Sequence, residues 1–294
     1  MKKKFLLLIS LTFLSSKFTY SNWFNETKKF NLSNNPIDIV IACHEKDKEV
    51  LNLCINGVKK FVKNSRRIIV ISERSFTNKA EWFNEVLFPF SKRSISEEFN
   101  LIEPSFFKDP NKIKRVGWYF KQIMNFYAPF IVPGISENVL ILDADTIFLR
   151  PVEFIDQSGN MLHVPGVEHY QAYFDHMNRL LPGLKKVYPK YSGISHHMIF
   201  QKPILEDLFN LIESHHKVPF WKAYCRCVSP KEMQYSGSAD YEIYFNFVLM
   251  RSKDQIKIRE LKWENITRIS SLNDYIKKGY DFVSWHSYHR TDSL

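Results

Sequence analysis

An apolar segment, an amphipathic helix and a second apolar segment follow one another early in this chain, and this order constrains its fold most. Residues 37–43 form a strand-length run that is apolar except for Asp38. The next residues predict a helix, because apolar side chains recur on one face at Val50, Leu53, Cys54, Val58 and Phe61. Residues 67–72 form a second buried strand. Strand, helix and strand at this spacing predict an α/β fold with a largely parallel sheet.

The rest of the chain predicts further elements of the same class. Helices are predicted over residues 118–130, 170–181, 204–215 and 242–250. Strands are predicted over residues 138–142, 146–149, 161–164, 197–200 and 282–285. These elements predict one domain over residues 37–294, with a mixed, mostly parallel, Rossmann-like sheet flanked by helices. Residues beyond about 150 are expected to add α+β elements on one side of a cleft.

The first 21 residues have the layout of a secretory signal. Three lysines precede an apolar run over residues 5–14, and small and polar residues follow up to Ser21. A membrane anchor is the alternative, but a span needs about 20 apolar residues and Lys17 interrupts any extension. We therefore expect an exported or secretory protein, with possible membrane proximity through this segment. Residues 22–36 are polar and rich in Asn, which predicts a tether before the domain.

Charge and composition exclude several classes of partner. The chain has 294 residues with 41 Lys and Arg against 31 Asp and Glu, which gives a net charge of +10. Four of these lysines lie in the N-terminal segment, so the remainder is only mildly basic. No run of basic residues with interleaved aromatics marks a nucleic-acid surface. We therefore expect no nucleic-acid partner. An enzyme that binds phosphate groups explains the mildly positive charge as well as nucleic-acid binding would.

Two carboxylates follow the apolar strand over residues 138–142. Asp143 and Asp145 are separated only by Ala144, at the point where this strand leaves the sheet. Ligands of open α/β sheets bind at the carboxyl ends of the strands, and two close carboxylates require a compensating cation. Oxygen ligands favour Mg²⁺ or Mn²⁺, which could hold a diphosphate. The alternative is a strand-end turn in which both side chains cap local amides.

Four segments together resemble glycosyltransferases of the GT-A fold. They are residues 117–123 (GWYFKQI), 139–146 (VLILDADT), 195–200 (SHHMIF) and 239–244 (ADYEIY). The last two segments are similar to a poorly characterised group of polysaccharide-type glycosyltransferases. The resemblance implies a GT-A-like fold and transfer of a sugar from a nucleoside-diphosphate sugar, with a UDP-sugar expected, to a glycan or other hydroxyl. Asp143 and Asp145 then stand at the family's metal and ribose-diphosphate motif.

The resemblance also implies further donor-side residues. The family commonly brings a C-terminal histidine to the metal, for which His286 is the first choice and His289 the second. A solvated, frayed C-terminus is the alternative. Arg290 and Lys121 are expected to assist at the phosphates. The nucleotide base and ribose are expected beside Ala42, Cys43 and His44, and Glu73 is expected to border the same site at the end of the next strand.

Acceptor-side residues are predicted before and within the helix over residues 242–250. Glu242 is expected to deprotonate the acceptor hydroxyl, and Asp240 to bind a sugar hydroxyl or cap the helix. Helix capping is the alternative for both residues. His196 and His197 point to opposite faces if both lie in a strand, so only one of them could line an acceptor pocket.

Two other functions remain open at the level of the sequence. The first is a non-catalytic carbohydrate-binding protein on the same fold, whose aromatic side chains stack on sugars. The second is a metal-dependent phosphoester hydrolase that uses the same carboxylates.

Overall fold

The computed structural model describes residues 23–294, so the predicted signal segment lies outside the described residues. The strands are β1 (Ile37–Ala42), β2 (Ser65–Ser72), β3 (Glu81–Asn84), β4 (Asn138–Asp143), β5 (Thr146–Phe148), β6 (Met161–His163), β7 (His197–Gln201), β8 (Ile256–Ile258), β9 (Trp263–Asn265) and β10 (Phe282–Ser284). The helices are α1 (Lys48–Phe61), α2 (Lys92–Ile102), α3 (Pro110–Ile131), α4 (Gln171–Leu180), α5 (Lys202–His216), α6 (Phe220–Arg226), α7 (Asp240–Arg251) and α8 (Leu272–Lys277).

A five-stranded sheet with the order β3-β2-β1-β4-β7 forms the centre of the fold. Four strands run parallel, and β7 runs antiparallel to β4 at the edge. The two central strands are in register, with Ala42 of β1 opposite Asp143 of β4. Both strands are almost wholly buried, as expected for a sheet with helices on its faces. The predicted α/β class, with a mixed and mostly parallel sheet flanked by helices, is confirmed.

Two smaller sheets extend this framework. The first has the order β5-β10-β9, in which β10 is antiparallel to β5 and parallel to β9. Its register pairs Ser284, near the C-terminus, with Thr146, the residue directly after Asp145. The second sheet pairs β6 with β8. The first sheet therefore brings the C-terminal segment to the carboxyl end of β4.

Helix α1 packs its apolar face against this framework. The predicted stripe is observed at Val50, Cys54 and Val58, all fully buried. Gly57 lies on the same helix where the backbone of Phe148 in β5 approaches most closely. A Cβ at Gly57 would lie 2.9 Å from the Phe148 nitrogen and oxygen. The missing side chain thus allows α1 to pack directly on β5.

Helix α3 is longer than its sequence pattern predicts. It begins at Pro110, and Asp109 caps it by accepting hydrogen bonds from the amides of Asn111 and Lys112. Proline suits the first helical position because no amide hydrogen is needed there. The helix matters for the site because spacings of three and four residues place several side chains along one face of α3, namely Trp118, Lys121, Gln122 and Asn125.

Residues 23–36, predicted as a tether, form no helix or strand but pack along the domain. The amide of Phe30 donates to Gln255 Oε1 at 2.7 Å, and the Phe30 ring is buried. Asn138 at the start of β4 donates from Nδ2 to the Ser33 carbonyl at 3.0 Å. These contacts attach the segment to the sheet and to the α7–β8 connection. Of the helices found between residues 23 and 294, none has the length and apolar character to cross a bilayer.

Candidate functional site

The candidate site lies where β4 ends at the carboxyl edge of the central sheet. Asp143 is the last residue of β4, and Asp145 lies in the turn that leads into β5. Both carboxylates are largely buried, with side-chain exposures of 20% for Asp143 and 12% for Asp145. Helix α3, the residue before β7 and the C-terminal segment each bring a side chain to these acids. The site thus combines residues from distant parts of the chain.

Asp143 is paired with a lysine from α3. Lys121 Nζ lies 2.5 Å from Asp143 Oδ1. Burial by itself would raise the pKa of Asp143, but the charges and hydrogen bonds of Lys121 and His196 together outweigh it and hold that pKa well below its ordinary value. Burial likewise opposes the charge on Lys121, and Asp143 raises the pKa of the ammonium above its ordinary value. The two groups form an ion pair at neutral pH, with Lys121 where the sequence predicts a donor-side residue.

Asp145 is paired with a histidine from the C-terminal segment. His286 Nδ1 lies 2.9 Å from Asp145 Oδ2, and the Trp285 amide donates to the Asp145 carbonyl at 2.9 Å. Burial lowers the pKa of His286, but the hydrogen bond and charge of Asp145 raise it above its ordinary value overall. Pairing of β10 with β5 holds this segment in place, so the segment through Trp285 is anchored and not frayed.

His289 and Arg290 have partners in the structure other than the metal and phosphate groups predicted for them. The His289 side chain is exposed and packs on the ring of Tyr288. Arg290 donates to the Trp285 and Lys46 carbonyls and, at 2.7 Å, to Asp47 Oδ1. These contacts use its guanidinium to fasten the C-terminal segment to the loop after β1. Its predicted contact to phosphate would require breaking them.

His196 is a site residue for which the sequence pattern gave no single assignment. Its Nδ1 lies 3.6 Å from Asp143 Oδ2, and its ring centroid lies 4.8 Å from that of His286. The side chain of the neighbouring His197 points away from Asp143. It is buried and packs against the rings of Phe154 and Phe282. Burial lowers the pKa of His197 well below its ordinary value. Sequence periodicity established that the two rings diverge but gave no signal for which one meets Asp143.

The residues predicted to hold the nucleotide lie at the ends of β1 and β2. Ala42 is half-buried, and His44 is exposed just after it. Cys43 is buried, which raises the pKa of its thiol to about 12 and keeps it neutral. Glu73 is exposed directly after β2. All four therefore share the sheet edge of Asp143, although the polar partners of its carboxylate are Lys121 and His196.

Asp240 at the start of α7 lies close to the Lys121–Asp143 pair. Its Oδ2 accepts a hydrogen bond of 2.7 Å from Asn125 Nδ2, and its amide donates to Gln122 Oε1. Burial raises the pKa of Asp240 to about 7, against the opposing effects of Asn125 and Lys121. Helix α3 thus joins Asp240 and Asp143 through side chains on one face.

The structure does not support Glu242 as a base. Its carboxylate is fully buried and accepts hydrogen bonds from Ser192 Oγ at 2.8 Å, the Gly193 amide at 2.6 Å and Asn246 Nδ2 at 3.0 Å. Burial raises its pKa, but each oxygen already has a protein partner. Residues two positions apart on a helix point to nearly opposite sides, so Asp240 faces α3 while Glu242 faces the loop before β7. Glu242 therefore holds that loop.

The chemical types of the side chains at this site suit a divalent cation, but the way these side chains are paired suits it less well. Two carboxylates and two imidazoles make a mixed oxygen and nitrogen set suited to Mn²⁺ or Mg²⁺. Their atoms, however, are paired with one another and with Lys121. Across residues 23–294, no three His, Cys, Asp or Glu side chains converge in a geometry that could hold a metal ion. An ion at Asp143 and Asp145 would have to replace these pairings.

Two surface cavities lie along α4, away from the carboxylates. They have volumes of about 370 and 360 Å³ and share Gln171, Asp175 and Arg179 in their linings. Neither lining includes a residue that the sequence predicts for the site. The distribution of paired charges therefore defines the candidate site better than cavity size does.

Many solved chains are similar in structure to this one. The chain is similar to the crystal structure of mouse xyloside xylosyltransferase 1 in its apo form, with 10% sequence identity and a TM-score of 0.42. The alignment covers 87% of this chain and 99% of that chain. No protein-family model matches the chain, and no curated protein matches its sequence.

Proposed function

We propose that this chain is a glycosyltransferase that moves a sugar from a nucleoside-diphosphate sugar to a hydroxyl of a glycan or another acceptor. The observation that carries the proposal is the position of Asp143 and Asp145. They lie at the carboxyl edge of a mostly parallel sheet, where ligands of open α/β sheets bind. The four segments that resemble GT-A enzymes support the same conclusion, because two of them supply Lys121 and both carboxylates.

We further propose that Mn²⁺ or Mg²⁺ binds at Asp143 and Asp145, with His286 as the third protein group. A bound divalent cation would supply positive charge to the diphosphate that leaves in the reaction. The types of side chain support this proposal. The existing pairings oppose it in part, since Lys121 already neutralises Asp143. Cation binding would therefore be coupled to a shift of the Lys121 ammonium, which would then be free to contact phosphate.

The chain's own residues suggest how donor and acceptor are arranged. Lys121 provides a cation beside the sheet edge, and the ends of β1 and β2 border the same edge. Asp240 is the better candidate for the acceptor side than Glu242. Its pKa near 7 suits proton transfer at neutral pH, and it lies near Lys121 and Asp143. Asn125 and Gln122 fix its orientation.

Donor turnover with and without acceptor tests the reaction class. The purified chain is incubated with UDP-, GDP- and other nucleotide sugars, and with Mn²⁺, Mg²⁺ or EDTA. A transferase releases nucleoside diphosphate faster when an acceptor sugar is added, whereas a hydrolase needs no acceptor. A carbohydrate-binding protein does neither. Thermal unfolding with each nucleotide identifies the donor, because a ligand that binds the folded state raises the melting temperature.

Two carboxylate variants and a control test the site itself. Asp143→Asn and Asp145→Asn are expected to abolish turnover and to remove the stabilisation by Mn²⁺ and nucleotide. Asp254→Asn, at an exposed position after α7, serves as the control and is expected to behave as wild type. Full turnover of both site variants, or full turnover in EDTA, would contradict the roles proposed for these groups.

We also propose that the N-terminal segment directs the chain to a secretory or exported location. The proposal rests on the sequence pattern of residues 1–21 alone. A nucleotide-sugar enzyme then needs a donor supply in that compartment or retention at a membrane. Mass spectrometry of the N-terminus of the protein from its host tests this directly. An intact Met1 would contradict cleavage of the segment.

A further inference from the structure

His196 holds Asp143 at both its main chain and its side chain. The His196 carbonyl accepts a hydrogen bond of 3.0 Å from the Asp143 amide. Its Nδ1 lies 3.6 Å from Asp143 Oδ2, and its side chain is only 12% exposed. Lys121 meets the other carboxylate oxygen, Oδ1. Asp143 is therefore held from two sides by residues of two different elements.

The backbone of His196 is strained in a way that serves this contact. Its φ is 64°, a left-handed conformation that few residues without a special requirement adopt. Such a conformation is unfavourable for a residue with a side chain and persists only where the surroundings enforce it. It turns the His196 ring to the carboxylate, while His197 one residue later enters β7 and points into the core.

The loop before His196 is fixed tightly enough to enforce this strain. Glu242 accepts hydrogen bonds from Ser192 Oγ and the Gly193 amide. A Cβ at Gly193 would lie 2.5 Å from the Tyr241 carbonyl oxygen. On the other side, Gly166 and Ser192 exchange backbone hydrogen bonds of 2.9 and 3.0 Å. Helix α7 and the segment around Gly166 thus clamp the loop that ends in His196.

The His196 ring also reaches the C-terminal segment. Its centroid lies 4.8 Å from that of His286 and 5.1 Å from that of Trp263 in β9. His286 in turn is hydrogen-bonded to Asp145. The His196 ring therefore lies next to Asp143 and also next to His286, the residue that is hydrogen-bonded to Asp145.

We propose that His196 is a positioning residue that fixes the orientation of Asp143 for binding of a divalent cation and nucleotide. This inference rests on the proposed function. Without the ring, Asp143 Oδ2 loses its described side-chain partner, so that the carboxylate is held through Oδ1 by Lys121 alone, and His286 loses part of its packing surface. Loss of a group that orients a metal-binding side chain typically lowers metal affinity or activity 10- to 100-fold. The expected effect of removing the ring is therefore a loss of affinity with the fold retained.

A glycine substitution separates the ring from the backbone conformation. His196→Gly removes the imidazole but still adopts a positive φ without strain. Its melting temperature is expected to stay close to wild type, while calorimetric affinity for Mn²⁺ with UDP falls 10- to 100-fold. His196→Asn tolerates the same φ and keeps a polar group, so it is expected to recover part of the affinity. Lys217→Gly is the matched control, because Lys217 also has a φ of 58° at the end of α5.

Two results would overturn the positioning role. The first is wild-type affinity for Mn²⁺ and UDP in His196→Gly. The second is an Asp143 carboxylate with the same orientation in crystal structures of wild type and His196→Gly. A wild-type protein that binds neither Mn²⁺ nor any nucleotide contradicts the proposed function instead, and the two crystal structures then decide on His196 alone.

Discussion

His286 Nδ1 and Asp145 Oδ2 lie 2.9 Å apart, although 141 positions separate the two residues in the chain. The contact exists because β10 pairs with β5, directly after the turn that carries Asp145. His289, three residues beyond His286, is exposed and takes no part in it. This difference between two histidines of one segment leads to a direct test.

We expect His286→Ala to weaken Mn²⁺-dependent nucleotide binding at least 10-fold, because Asp145 loses its only described histidine partner. His289→Ala is the matched control and is expected to change the affinity less than twofold. Isothermal titration calorimetry with Mn²⁺ and UDP measures both. Equal effects of the two substitutions would show that the segment acts as a whole and not through His286.

Glu242→Gln is expected to lower the free energy of unfolding by about 1–3 kcal/mol, since the buried carboxylate accepts three hydrogen bonds that a neutral amide cannot all accept. Urea unfolding measures the change. Glu97→Gln, at an exposed position in α2, is expected to change stability by less than about 0.5 kcal/mol. Unchanged stability combined with a large loss of turnover would instead restore Glu242 as a base.

Gly57→Ala is expected to destabilise the fold by about 1–3 kcal/mol, because a Cβ there would overlap the Phe148 backbone in β5. Gly117→Ala is the matched control, since a Cβ at that position in α3 has no neighbour within 4 Å. Alanine favours helices by about 1 kcal/mol over glycine, so this variant is expected to be neutral or more stable. Thermal unfolding compares the two, and equal stabilisation of both would contradict the close approach of α1 and β5.

Stability is expected to fall as the pH decreases from about 6.5, the ordinary pKa of histidine in an unfolded chain. Burial lowers the pKa of His163 and of His176 to about 3, so the unfolded chain binds more protons over this interval. The stability is fully present above about pH 6.5 and is lost progressively toward pH 3. Each histidine contributes a limiting slope of about 1.4 kcal/mol per pH unit.

His163→Phe tests this pH dependence, because the His163 ring already packs on Phe245 with centroids 4.4 Å apart. The variant is expected to reduce the slope of stability between pH 6.5 and 5 by about one proton's contribution. His44→Gln, at an exposed position, is the control and is expected to keep the wild-type slope. Urea midpoints at several pH values provide the measurement, and an unchanged slope in His163→Phe would assign the acid sensitivity to other groups.

The sequence by itself determined four of the five strands of the central sheet, all except β3, and the place of the two carboxylates. Apolar runs of strand length around a helix with a clear apolar face encode β1, α1 and β2 locally, and the structure confirms them. The same holds for β4, whose end carries Asp143. Such patterns are readable because each residue's burial follows from its position within its own element.

Only the tertiary structure decided which side chains meet these carboxylates. Lys121 reaches Asp143 because α3 packs against the central sheet, and Arg290 is paired with Asp47 in the loop after β1. The positive φ of His196 turns one of two adjacent histidines toward the site, and a step of two positions along α7 leads from Asp240 beside α3 to the fully buried Glu242. These outcomes depend on contacts between elements far apart in the chain, which local periodicity does not encode.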